Sequence, residues 1–158
     1  MNAAAATIDP ERTTERNVES ALLGSLRVPE SQVFEFEQGL LGFPEAHSFA
    51  LVPARAEGMF WLQSADFDAL TFLLVDPFAF VEGYALDLGP GELGSLAPGD
   101  ASELLVLSIL TLPRDPGEPA TANLQGPLAM HVGLRQGRQV VLQDSTFGIR
   151  HPVDLKRG

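Results

Sequence analysis

From Val18 onward the chain is a succession of short apolar runs, each cut by glycine or proline before it reaches helical length, a texture that belongs to β domains. Leu26 and Val28 alternate with Ser25 and Arg27, and Phe34 and Phe36 alternate with Glu35 and Glu37. Successive strand residues point to opposite faces, so each pattern predicts a half-buried strand. Gln38-Gly39 and Gly42 break the period, Phe43-Pro44 turns the chain, and Phe49 and Leu51 resume it. Residues 59–63 form a further candidate strand, and Leu70 to Val75 is apolar on both faces apart from Thr71, as a strand covered on both sides would be. Asp76-Pro77 ends that run, because proline brings no N–H to a ladder, and a loop or edge should follow. Pro90 to Leu96 is short enough for one helix with proline in its first turn. Leu104 to Leu112 reads as a buried strand, followed by strands at 121–125, 128–132 and 138–143, the last two joined by a loop from Gly133 to Gly137. The expectation is a mainly β, single-domain, antiparallel β-barrel-like fold of nine or ten strands with one or two short helices.

A chain of 158 residues suits one core. Residues 1–17 hold only Ile8 as a sizeable hydrophobe and are expected to form a disordered N-terminal tail. The β domain is placed at 18–154, with a short C-terminal tail at 155–158. No cysteine is present, which removes disulfides and thiolate chemistry and fits a reducing compartment. The first sixteen residues lack the basic and apolar segments of a secretion signal, and no apolar stretch reaches the roughly 18 residues of a membrane span. A cytoplasmic protein, monomeric and free of membrane, is expected.

The formal net charge is −11, which argues against direct nucleic-acid binding, since that rests on clustered Lys and Arg. Its layout is uneven. Between Arg55 and Arg114 there is no Lys or Arg, while Glu57, Asp66, Asp68, Asp76, Glu82, Asp87, Glu92, Asp100 and Glu103 all fall there. Such a field speeds association with a basic partner and weakens with salt. A surface that only keeps the protein soluble would look the same. Phe78, Phe80, Val81 and Tyr84 sit in this acidic stretch, either open to a partner or capping the core. Asp66, Asp68, Asp76, Phe78, Phe80 and Glu82 are therefore the candidate partner-binding residues.

Catalytic patterns are lacking. Asp66 and Asp68 are close enough to suggest paired acids, but their neighbours predict a turn. His47, His131 and His151 are too scattered for a metal motif. There is no Gly-x-Ser-x-Gly elbow, P-loop or dinucleotide fingerprint, so neither an enzyme nor a cofactor is expected. One polar cluster, Gln143, Asp144, Ser145, Arg150 and His151, follows an apolar strand. It reads as a loop held by its own Asp–Arg–His network in preference to a polar site.

Several of these segments together resemble the flagellar assembly factor FliW family, over about Glu19 to Asp154. Leu23-Gly24-Ser25-Leu26-Arg27-Val28 is similar to the family's opening strand pair. Phe34-Glu35-Phe36-Glu37-Gln38-Gly39-Leu40-Leu41-Gly42-Phe43 resembles its phenylalanine-plus-Gly-x-Leu-Gly-Phe signature. Trp61-Leu62-Gln63-Ser64, Val75-Asp76-Pro77-Phe78, Thr121-Ala122-Asn123-Leu124 with Pro127, and Gln139 to Ser145 with Arg150-His151-Pro152 continue it in order. Phe147 stands where the family usually carries tyrosine, and the loop from Gly89 to Asp100 is richer in Gly and Pro than usual. The resemblance implies a compact antiparallel barrel-like fold and a partner-switching role. Proteins like this bind flagellin and, alternatively, CsrA, a dimeric RNA-binding repressor of flagellin translation, which they are described as inhibiting allosterically. A barrel holding a small apolar ligand is the main alternative, and a hydrolase using Asp66 or Asp144 a weaker one.

Overall fold

A computed structural model gives the structure of the protein and describes residues 14–86, 88–96, 101–143 and 146–155. The strands are β1 (Glu15–Ser20), β2 (Gly24–Pro29), β3 (Val33–Phe36), β4 (Ser48–Pro53), β5 (Met59–Ser64) and β6 (Thr71–Val75). They continue with β7 (Leu104–Thr111), β8 (Ala120–Ala122), β9 (Leu128–His131), β10 (Gln136–Gln139) and β11 (His151–Val153). Two four-residue helices, α1 (Pro77–Phe80) and α2 (Pro90–Leu93), lie between β6 and β7.

The strands run β7-β6-β5-β4-β3-β10-β9 and return to β7, a closed seven-stranded barrel. Closure depends on the length of β7. Its first half, Leu104 to Leu107, pairs with β9, while Leu110 and Thr111 pair with β8, which carries β11 outside the ring. Apolar residues at period two fill the interior: Phe34 and Phe36, Phe49 and Leu51, Leu105 and Leu107, Leu128 and Met130, with Leu62 and Leu74. At about 1.5–3 kcal/mol for each large side chain, this packing is the main stabilising term. Phe36 and Phe49 meet edge-on at 5.3 Å, and no lumen is left for a ligand among these side chains.

The outer wall is covered in three places. The β1–β2 hairpin lays Val18 and Val28 on Ala50 and Val33. The segment after β6 packs Phe80, Val81 and Tyr84 on Val75, Leu110 and Ala122. Leu93 and Leu96 cover Ala129 and Val140. The double-faced β6 is accounted for, with Leu74 in the barrel core and Val75 in the outer cluster.

The structure corrects several expectations. The sheet is not wholly antiparallel, because β10 pairs parallel with β3, Gln136 opposite Glu35 and Gly137 opposite Phe36. Among the described residues there are eleven strands. β1 opens at Glu15, so residues 15–17 belong to a strand in which Arg16 holds Glu30 at 2.9 Å, and the Thr14 carbonyl accepts from Glu30 N–H; residues 1–13 and 156–158 lie outside the described residues. The last hairpin strand is 136–139 and not 138–143. Gly137 lies in this strand, paired with Phe36 and Met130, and the position is held by glycine because a Cβ there would come within 2.5 Å of the Phe36 ring. Val140 and Leu142 still bond back to Pro127 and Gln125 carbonyls, extending the pairing beyond β10. Asp76-Pro77 starts a helix in place of a loop: Asp76 is the N-cap, its Oδ1 accepting from Phe78 N–H at 3.0 Å, and proline takes the first turn.

Candidate protein-binding surface

The six candidate residues separate into two groups, with β6, roughly 15 Å long, between them. Asp66 and Asp68 are exposed in the β5–β6 turn, while Asp76, Phe78, Phe80 and Glu82 lie around α1. Phe80 is only 4% exposed and cannot serve as a surface anchor, because the capped helix turns its ring onto Val75 and Val81. Phe78 is half-buried with its ring 5.3 Å from Tyr84, which continues to Phe147 and His151 at 5.2 Å each. These rings cap the outer core. Burial pushes the Tyr84 phenol up to about 12. In the polar loop, Gln143 and Arg150 are exposed and His151 is half-buried; Asp144 and Ser145, and the acids Asp87 and Asp100, lie outside the described residues.

An apolar groove of about 420 Å³ sits at the other end of β6, between the β3–β4 loop and the β5–β6 turn. The reading from sequence missed it. Phe67, flanked in the chain by Asp66 and Asp68, was the available signal: an aromatic residue between two acids in a turn.

One wall is the loop 40–46. Gly39 enters it at φ +65°, where a Cβ would lie 2.5 Å from the Phe43 carbonyl oxygen, so only glycine lets the chain fold this tightly. Leu40 and Phe43 exchange backbone hydrogen bonds, and Leu41 N–H donates to Gln139 Oε1 at 2.9 Å. Leu40 and Ala46 plug the barrel end beneath, and the Phe43 ring rests edge-on against Phe72 at 5.4 Å.

The opposite wall is held from below by two buried polar residues. Ser64 Oγ accepts from the Asp66 and Phe67 amides at 3.1 and 2.9 Å. Gln63 Nε2 donates to the carbonyls of Ser64, Phe67 and Asp68, and its Oε1 accepts from Thr71 Oγ1. Asp66 joins the walls, its Oδ2 accepting from His47 and Ser48 N–H at 2.8 and 3.0 Å. The β1–β2 turn is tied in by Ala21 N–H to the Asp68 carbonyl at 2.8 Å. A second cleft, of about 410 Å³, is polar and carries both signs of charge in Glu35, Glu37 and Arg138.

Among the described residues no group of three or more His, Asp or Glu side chains is placed to hold a metal, and no helix is long and apolar enough to cross a membrane. The surface offers charge, apolar contact and fixed shape, which are the means of binding another protein.

The family model described as FliW protein matches residues 17–153, almost the whole described chain. This chain belongs to the FliW family. Among its relatives, the flagellar assembly factor FliW of Treponema denticola is 34% identical over 136 residues, covering 86% of this chain and 92% of that one. The FliW of Moorella thermoacetica is 36% identical over 137 residues, covering 86% and 87%. A crystal structure of the flagellar assembly factor FliW superposes with a TM-score of 0.78 at 31% identity, over 87% of this chain and 96% of that one. The FliW fold is thus the closed barrel with its outer wall built up, and the chain is a flagellar assembly factor by family.

Proposed function

We propose that this FliW-family chain is a cytoplasmic, non-enzymatic, monomeric partner-switching protein that binds flagellin and, alternatively, CsrA, and so relieves CsrA repression of flagellin translation. Family membership over residues 17–153 carries the reading. The physical features support it. The barrel interior is filled by side chains, which leaves the outer wall as the place to bind and disfavours the small-ligand alternative. Asp66, the acid a hydrolase would need, is engaged by two backbone amides as a structural acceptor.

Charge supplies the mechanism. CsrA must be cationic to hold RNA, so an anionic wall steers the two together and repels a transcript approaching nearby. Repulsion of this kind acts without contact at the RNA site, as allosteric inhibition requires. Reversing Asp66, Asp68 and Glu82 together should slow CsrA association and flatten its salt dependence in stopped-flow measurements. Unchanged rates would remove steering from the account.

A further inference from the structure

Large apolar side chains are seldom left in water in groups, and when they are they mark a contact surface. Phe43 is 42% exposed and Phe67 46%, on facing walls of the groove; Leu41 and Leu22, at 66% and 64%, stand on the same loop and on the hairpin turn bonded to Asp68. Nothing local requires Phe67 to be aromatic. Its turn is set by backbone bonds to Ser64 and Gln63, which any residue could make.

The rim has one sign. Glu45, Asp66 and Asp68 are exposed around the two rings, no Lys or Arg lines the groove, and from Val28 to Pro113 the sole Lys or Arg is Arg55. An acidic partner would meet uncompensated repulsion here. A basic one gains at every flank.

From these observations we infer that the groove is a docking site for a protein segment with one or two large apolar side chains flanked by Lys or Arg. The apolar group enters between Phe43, Phe67 and Leu70, and the flanking cations meet Glu45, Asp66 and Asp68. Its volume lies in the range of about 300–1,000 Å³ usual for clefts that enclose a ligand. Both walls are already fixed by hydrogen bonds, so little ordering remains to be done on binding. The inference rests on the reading that the chain works by binding proteins, and it locates where one partner segment sits.

The test is titration of the isotope-labelled full chain, followed by its amide NMR signals, with three capped synthetic peptides. The first is Lys-Lys-Leu-Phe-Ser-Lys-Lys, the second replaces its lysines by glutamates, and the third replaces its two apolar residues by serines. The first peptide should move the amides of Phe43, Ala46, Phe67 and Ala69, and the other two should not. Phe67→Ser should weaken that binding about tenfold, as loss of a central aromatic anchor does. Asp68→Lys, whose backbone carbonyl still accepts from Ala21, should weaken it while leaving the spectrum of the free protein otherwise intact. No movement at the groove, or equal movement by the glutamate peptide, overturns the inference. Because the probes are synthetic, that failure leaves flagellin and CsrA binding untouched, and failure of those partners to bind would leave a positive groove result standing.

Discussion

Gln63→Met should destabilise the fold by about 2–3 kcal/mol and loosen one wall of the groove. Methionine keeps the length and apolar stem of glutamine, so the fully buried site is not emptied, and what disappears is the amide. Four hydrogen bonds go with it: one of 3.0 Å to the Ser64 carbonyl, two long ones of 3.4 and 3.3 Å to Phe67 and Asp68, and the one from Thr71 Oγ1. The Phe67 and Asp68 carbonyls keep other donors, the amides of Leu70 and Ala21, so neither is orphaned. At about 1 kcal/mol for each of the two shorter bonds and about 0.5 kcal/mol or less for each long one, the sum is about 2–3 kcal/mol. Urea unfolding followed by the fluorescence of Trp61, the sole tryptophan and a β5 residue, gives the stability. Hydrogen exchange gives the location: the amides of Asp66, Phe67 and Leu70 should exchange faster while those of β3 and β9 follow only global stability. A loss below about 0.5 kcal/mol with unaltered exchange would show that the turn holds itself and that Gln63 does not shape the groove.

Three further outcomes follow from the same contacts. Gly137→Ala sets a methyl group 2.5–2.8 Å from the buried Phe36 ring and should cost about 1–3 kcal/mol in urea unfolding, with Phe36→Leu in the same chain recovering part of it; a neutral Gly137→Ala would mean the ring has room to move. Asp66→Ala removes an acceptor shared by two backbone amides and should cost about 1–3 kcal/mol, whereas Asp68→Ala, acting only through its backbone carbonyl, should stay within about 0.5 kcal/mol; equal effects would refute the distinction. Tyr84, the only tyrosine, titrates near 10.0 when unfolded and about 12 when folded, so the folded state holds the proton more tightly. Its contribution is fully present below pH 10 and is lost as pH rises towards 12, on the order of 2 kcal/mol in all; phenolate absorbance appearing near pH 10 in the folded protein would contradict this.

Local physics made much of the fold legible. Period-two patterns at Phe34 and Phe36 and at Phe49 and Leu51 mark strands because one face of each is buried in the barrel. The apolar run at 70–75 foretold contact on both faces, since β6 places Phe72 and Leu74 on the barrel core and Leu73 and Val75 on the outer one. What stayed hidden is non-local. The parallel pairing of β10 with β3 joins residues about a hundred positions apart, and its sign is Gly137, a glycine that in sequence looks like a loop residue until the Phe36 ring occupies the space beside it. Acidic flanks alone do not decide aromatic exposure. Phe80 and Phe67 both stand among acids, yet a helix capped by Asp76 turns one into the core and a serine-held turn leaves the other in water. Gln63 and Ser64 stood out only as part of a family resemblance, because a buried polar residue shows its purpose through the carbonyls and amides it meets.

In the proposed partner switch one anionic scaffold holds flagellin or CsrA but not both. The most direct test adds monomeric flagellin in steps to the preformed complex of this chain with CsrA and follows the masses present by analytical ultracentrifugation. Free CsrA should be released in proportion to the flagellin bound. A stable assembly containing all three proteins, or no complex with either partner at the start, would contradict it.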